Sequence, residues 1–317
     1  MTGMLSLLGR RLSGLVLLMF ATSFLVFSAM YLAPGSPESF LARGNSVTAD
    51  TLQAIRDQYH LSDPFLQRYV SWLGSLLHGD FGQSLQFRQT VGGLIASRIT
   101  TTLALVGYAS LLILVSGIVI GVIAAVKRGT VDSAAIIATT VAMGTPSFVA
   151  AIGLTSLFAI TLGWFPAFGA GDGFLGRIWH LTLPAVTLAL SSAALVARAT
   201  RSAMLAELGK EYIETARVRG VPERRIVWRH AFRNAMAPVV TLAGLVVSGL
   251  LVTTTLVETA FGLNGMGSLL VQSVNSKDFP VTQAIVLIIV AVFALSNLVV
   301  DLLYPLIDPR VRNRAGA

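Results

Sequence analysis

Residues 101–126 read TTLALVGYASLLILVSGIVIGVIAAV, from Thr101 to Val126, and none of them is charged. About 20 such residues, wound as a helix, cross a hydrocarbon core about 30 Å thick. Working outward, five further stretches meet the same test: Leu12 to Leu32, Ala134 to Leu162, Leu181 to Ala199, Met236 to Val257 and Val281 to Ile307. Each is expected to be helical, because lipid offers a backbone N–H or C=O no partner. The reading is an all-α, polytopic membrane protein with six transmembrane helices. Composition agrees: 54% of the 317 residues are hydrophobic and only 12% charged, against about 25% charged in soluble domains. The span from Leu181 is the weakest, with Pro184 near its start and many Ala, Ser and Thr; small residues suit a helix packed among others. The first apolar run follows Arg10 and Arg11 as a signal peptide would, but it is some twenty residues long and a signal core has about 7–15. It reads as a permanent first span.

Basic residues set the orientation. With the N-terminus inside, sixteen of the 23 Lys and Arg fall in inside segments, nine of them between Arg198 and Arg233. Among short outside loops only Arg177 and Lys277 occur. The positive-inside rule therefore puts both termini in the cytoplasm. It also explains the net charge of +8 without nucleic acid.

The chain divides into residues 1–32, the N-terminus and first span; 33–100, an extracytoplasmic loop; and 101–317, a five-helix core with an ordered inside loop at 201–235. Pro34, Gly35 and Pro37 stop the first helix. In the outside loop Leu52, Ile55, Tyr59 and then Phe65, Tyr69, Trp72, Leu73 and Leu76 recur at helical spacing, which suits either a cap over the helix ends or a docking surface for an external partner. In the inside loop Leu205, Leu208, Tyr212 and Ala216 form one apolar face of a helix expected from about Met204 to Arg219. Glu207 and Glu211 lie early and Arg217 and Arg219 late, as the helix dipole favours. Gly220 is expected to stop the helix with positive φ, and Pro222 to open the next. There Arg225, Arg229 and Arg233 form a basic stripe suited to lipid phosphates.

Several chemistries are excluded. There is no cysteine, and His60, His78, His180 and His230 show no zinc spacing. Gly209-Lys210 is the only Gly-Lys pair; Met204 stands where a phosphate loop needs its first glycine, and Glu211 where it needs Ser or Thr. The span middles hold no Asp, Glu, Lys, Arg or His, and Asp301 lies near a cytoplasmic end, so neither a proton-driven carrier nor a membrane-embedded enzyme is favoured. Pro146, after Gly144 and Thr145, is a candidate kink in the third span.

The stretch Glu211-Tyr-Ile-Glu-Thr-Ala-Arg-Val-Arg-Gly220 resembles the EAA loop of bacterial ABC importer permeases, with Glu214, Thr215, Ala216 and Gly220 on its signature positions and Thr replacing the middle Ala. The continuation from Glu223 to Pro238 is similar to the dipeptide, oligopeptide and nickel group. So are Tyr31 to Pro37, Leu61 to Trp72, Gly79 to Ser84, Glu258 to Gly267 and Asp278 to Pro280. Together they resemble the first permease of a dipeptide-type pair, over nearly the whole chain.

That resemblance implies a type I importer fold in the bacterial cytoplasmic membrane. It implies a second, homologous permease, two ABC ATPase subunits that hold the ATP and Mg, and an extracytoplasmic solute-binding protein. This chain itself would bind no cofactor or metal and catalyse no reaction. It implies that Glu214, Thr215, Ala216 and Gly220, with Glu211 and Tyr212 beside them, dock an ATPase, and that transport of peptides runs by alternating access. The alternative is a stand-alone secondary transporter or channel, which would need internal repeats or broken spans; no repeat between the two halves of the chain is evident.

Overall fold

A computed structural model describes residues 2–32, 63–84 and 86–307. The turn residues Pro34, Gly35 and Pro37, the amphipathic positions Leu52, Ile55 and Tyr59, and the side chain of Asp301 lie outside the described ones. The helices are α1 (Thr2–Leu32), α2 (Phe65–Leu77), α3 (Val91–Val126), α4 (Thr130–Gly144), α5 (Ser147–Thr161), α6 (Gly173–Leu208), α7 (Glu211–Val218), α8 (Glu223–Ala260), α9 (Met266–Asn275) and α10 (Phe279–Ile307). The ends of α5 (Thr155–Thr161) and the start of α8 (Ile226–Phe232) are wound as π-helix.

Among the described residues five helices, α1, α3, α6, α8 and α10, contain stretches long and apolar enough to cross a membrane. The remaining apolar stretch is a bent pair, which makes a sixth crossing if the two helices count as one span. Where the sequence predicts a kinked third span, α4 and α5 are separate helices bent by 106° at a short break. Pro146 locks its own φ and keeps the residue before it out of the helical region. Thr145 is accordingly extended (φ −86°, ψ 117°), and so is Pro146 (φ −59°, ψ 142°). Two extended residues in a row break the hydrogen-bond ladder instead of bending it.

The described residues up to 100 form one compact unit with 265–294, and those of 101–264 form another with 295–307. In the first, the apolar face expected of α2 is turned onto α1. Phe65, Tyr69 and Trp72 meet Phe24 and Phe27 with ring centroids 5.4–5.9 Å apart, and the Ser23 and Tyr69 hydroxyls share a hydrogen bond of 2.9 Å. A second core joins Val91, Leu94 and Ile95 of α3 to Met266 and Leu269 of α9 and Val281 and Ile285 of α10. In the same unit the buried carboxylate of Asp278 accepts from Ser84 Oγ (2.5 Å) and the Gln86 N–H (3.1 Å). Two motifs nearly 200 residues apart in sequence thus meet.

In the second unit α6 is the most enclosed span, with 56% of its apolar window buried; Pro184 sits inside it without ending it. Its small residues let neighbours approach, as expected in lipid. Gly117 and Gly121 of α3 lie against it so closely that a Cβ at Gly121 would fall 2.5 Å from the Ala197 carbonyl oxygen and from Thr200 Cβ. Asp132 at the start of α4 takes a two-pronged ion pair from Arg201 of α6, at 2.5 and 2.6 Å, and Arg198 reaches Thr139 and Thr140 one turn away. Glu258, which the sequence places just outside the fifth span, is instead in the last turn of α8; it is fully buried and accepts from Thr102 Oγ1 at 2.6 Å.

Candidate coupling surface

The inside loop is ordered, but the helix expected from Met204 to Arg219 is two helices. α6 runs to Leu208, Gly209 caps it, and Lys210 is extended (φ −82°, ψ 149°) before α7 begins at Glu211. The Lys210 carbonyl then takes the Ile213 N–H at 2.9 Å, starting the new helix. Glu211 and Glu214 lie in the first turn of α7 and Arg217 in its last, the arrangement the helix dipole favours.

This break shifts the helical register, so the face that is buried is not the one expected. Ile213 is the fully buried residue of α7. It enters a cluster formed by Val122 and Ala125 of α3, Met204 and Leu208 of α6, and Ile226, Val227 and Ala231 of α8. Leu208 is buried here by its own chain, Ala216 is partly buried against the same cluster, and Tyr212 stays on the surface. No partner protein is needed to bury Leu208 or Ala216. A residue five positions after Leu208 escapes a search for continuous three- and four-residue steps; only the turn at Gly209-Lys210 gives it away.

What remains outward is the other side of α7. Glu211, Tyr212, Glu214, Thr215, Val218 and Gly220 are all exposed. Tyr212 is nevertheless fixed: its hydroxyl donates to Glu207 Oε2 (2.8 Å) and accepts from Asn234 Nδ2 (3.1 Å). Partial burial, helped by the Glu207 carboxylate, raises its phenol above the ordinary range. Lys210 pairs with Glu207 as well.

The helix ends in a Schellman turn. Gly220 has φ +76°, its N–H bonds the Arg217 carbonyl (2.9 Å), and the Val221 N–H bonds the Ala216 carbonyl (3.1 Å). That pairing satisfies two end carbonyls and needs a left-handed residue between. A Cβ on Gly220 would meet nothing within 4 Å. Arg217 then pairs with Glu223 across the turn (2.8 Å), which holds its guanidinium more firmly protonated. Both partners are well exposed, so the pair aligns the turn more than it stabilises it. Among the described residues no group of His, Asp and Glu is placed to hold a metal ion.

Two family models match. One, described as binding-protein-dependent transport system inner membrane component, covers residues 117–313, and its N-terminal companion covers 4–106. A putative peptide transport system permease protein of Brucella abortus is 37% identical over 313 residues, covering 98% of this chain and 99% of that protein. A glutathione transport system permease protein of Shigella flexneri is 37% identical over 311 residues, again covering 98% and 99%. Among solved structures, an inward-facing MetNI methionine ABC transporter chain superposes with a TM-score of 0.56 at 18% identity, over 68% of this chain and 96% of that one.

Proposed function

The chain belongs to the family of binding-protein-dependent transport system inner membrane components; as such it is a multi-pass permease subunit of an ABC importer in the bacterial cytoplasmic membrane, and we propose that it forms half of a pathway for small peptides or peptide-like solutes. The cargo class follows from the relatives, named for peptide and for glutathione transport. The other half is a second, homologous permease. Two ATPases bind below, holding ATP and Mg, and a solute-binding protein delivers cargo from outside. This chain makes and breaks no covalent bond. Partners stabilise one of its packings over another.

The observation that carries the coupling role is the outward side of α7. Ile213 roots the helix in the core of its own chain, so Glu211, Tyr212, Glu214, Thr215 and Gly220 are presented on a rigid support. Ala216 belongs with them as the partly buried residue that holds the helix down. A rooted helix transmits a push, whereas one that folds only on its partner would absorb it. The break at Thr145-Pro146 lets α4 and α5 move as separate rods, and we assign it to shaping the pathway.

The test is a pair of changes on the open side. Gly220→Asn keeps a residue that tolerates left-handed φ yet adds a side chain facing nothing in this chain. Thr215→Arg adds a charge at an exposed position. Neither disturbs this chain's packing, so insertion and pairing of the two permeases are expected to persist. Burying an unpaired charge in an interface costs about 2–5 kcal/mol, so retention of the ATPases by the Thr215→Arg complex should fall by more than about tenfold. Undiminished ATPase retention and peptide uptake in both variants would refute the docking role.

A further inference from the structure

Three elements meet at one phenol. Glu207 lies in the last turn of α6, Tyr212 in the first turn of α7, and Asn234 on α8 just before its apolar run. The Tyr212 hydroxyl donates to Glu207 Oε2 at 2.8 Å and accepts from Asn234 Nδ2 at 3.1 Å. Glu207 is a firm acceptor: its side chain is only 13% exposed, and its other oxygen pairs with Lys210. Partial burial, helped by that carboxylate, raises the phenol, so it keeps the proton it donates.

Ile213 and the phenol constrain α7 differently. Burial of Ile213 fixes how deeply the helix sits, but the hydrophobic effect has no direction and sets no rotation about the helix axis. Hydrogen bonds are directional. Two of them on one oxygen, to two different helices, set that rotation. Along the chain, α7 reaches the span of α8 only through the Gly220 turn (φ +76°) and the π-wound residues Ile226–Phe232, a winding that is rare and often found at functional sites. Asn234 lies beyond both. The Tyr212–Asn234 bond therefore joins α7 to the span without passing through either. At the other end of α7 the Arg217–Glu223 pair reaches α8 before the π-wound residues, so it makes no such bypass.

We propose that Asn234 and Glu207 are positioning residues for transport: through the Tyr212 hydroxyl they set the rotation of α7 and lock it to α6 and α8, so that a displacement of α7 passes directly to both spans. This rests on the reading of α7 as the helix on which an ATPase acts.

The chain has no cysteine, so spin labels can be placed in it at chosen sites. In the assembled transporter they go to Arg219, exposed at the end of α7, and Leu245, exposed on α8. Electron paramagnetic resonance then reads the distance distribution at rest and with ATP and vanadate. With the native contacts one narrow distance is expected, the same in both states. A net hydrogen bond shifts an equilibrium by about two- to tenfold, so Asn234→Ala should lower the ratio of narrow to broad component by that factor, with the ATPases still bound. Tyr212→Phe removes both bonds and should lower it at least as far; adding Asn234→Ala to it should lower it no further. Asn234→Gln keeps an amide donor on a longer arm and should recover most of the narrow component, a rescue that general loosening of the fold would not show. A narrow distance in both Asn234→Ala and Tyr212→Phe would overturn the proposal, since Ile213 alone would then hold the rotation. So would a native distance that changes with vanadate, additive losses in the double variant, no recovery in Asn234→Gln, or release of the ATPases by Asn234→Ala with the narrow component intact. The resting distance depends on this chain's own contacts, so ATPases retained by Thr215→Arg would refute docking without altering it, and the two failures are told apart.

Discussion

Single residues set how closely the spans of this permease pack. Gly117 and Gly121 are spaced four apart on α3, and both press on α6. A methyl group at Gly121 has no room against backbone, so α3 would have to move outward. Overpacking of this kind costs about 1–3 kcal/mol, and more where backbone blocks the way. Gly121→Leu is expected to lower the midpoint of thermal unfolding of the detergent-solubilised complex by several degrees, whereas Gly107→Leu, whose Cβ meets nothing within 4 Å, should leave it nearly unchanged. A common midpoint for the two variants would show that α3 and α6 do not pack as described. The glycine pair was open to inspection in the sequence, but its partner helix was not. The same holds for Glu258 and Thr102, and for Ser84 and Asp278. Sequence motifs mark such residues, yet a hydrogen bond spanning 156 or 194 positions depends on the fold as a whole.

At the scale of elements, apolar length located the spans well, because lipid leaves a long uncharged stretch few alternatives. Breaks were harder. The third span contains two helices of 15 residues, each about 22 Å long and so shorter than the hydrocarbon alone. A proline in a helix costs about 3 kcal/mol; removing it lets Thr145 return to the helical region. Pro146→Ala is therefore expected to favour one straight span over the bent pair. Uptake of peptide by reconstituted vesicles should fall while the complex still assembles, and spin labels at Ile137 and Ile152, both exposed, should move apart. An unchanged distance would mean that packing against α6, including the Arg201–Asp132 pair, holds the bend without proline. The inside loop shows the same limit of pattern reading. Its helical periodicity was visible, but the extended Lys210 reset the phase, and Ile213 replaced Tyr212 as the anchor.

On the scale of the whole molecule, the class of fold and five to six apolar spans were legible from hydropathy alone, and the motif at 211–220 marked the ordered inside loop. Which distant segments join was not legible, and here the joining carries a consequence for synthesis. Ser84 and Asp278 are separated by 194 positions, and the core under them draws on both α3 and α10. Ribosomes add about 5–20 residues per second, so the first unit waits roughly 10–40 s between the appearance of its two parts. During that interval Val91, Leu94 and Ile95 lack the α9 and α10 residues that later cover them. A chain halted after Ala260 should thus be clipped near the exposed Arg88 by protease added from outside, and one extended to Leu295 should resist. Equal protection of both would mean that the first hundred residues reach a finished state alone. If the clipping occurs as expected, time itself becomes part of the design: a segment made in the first third of synthesis is among the last to be secured, and for tens of seconds proteases decide whether the chain survives.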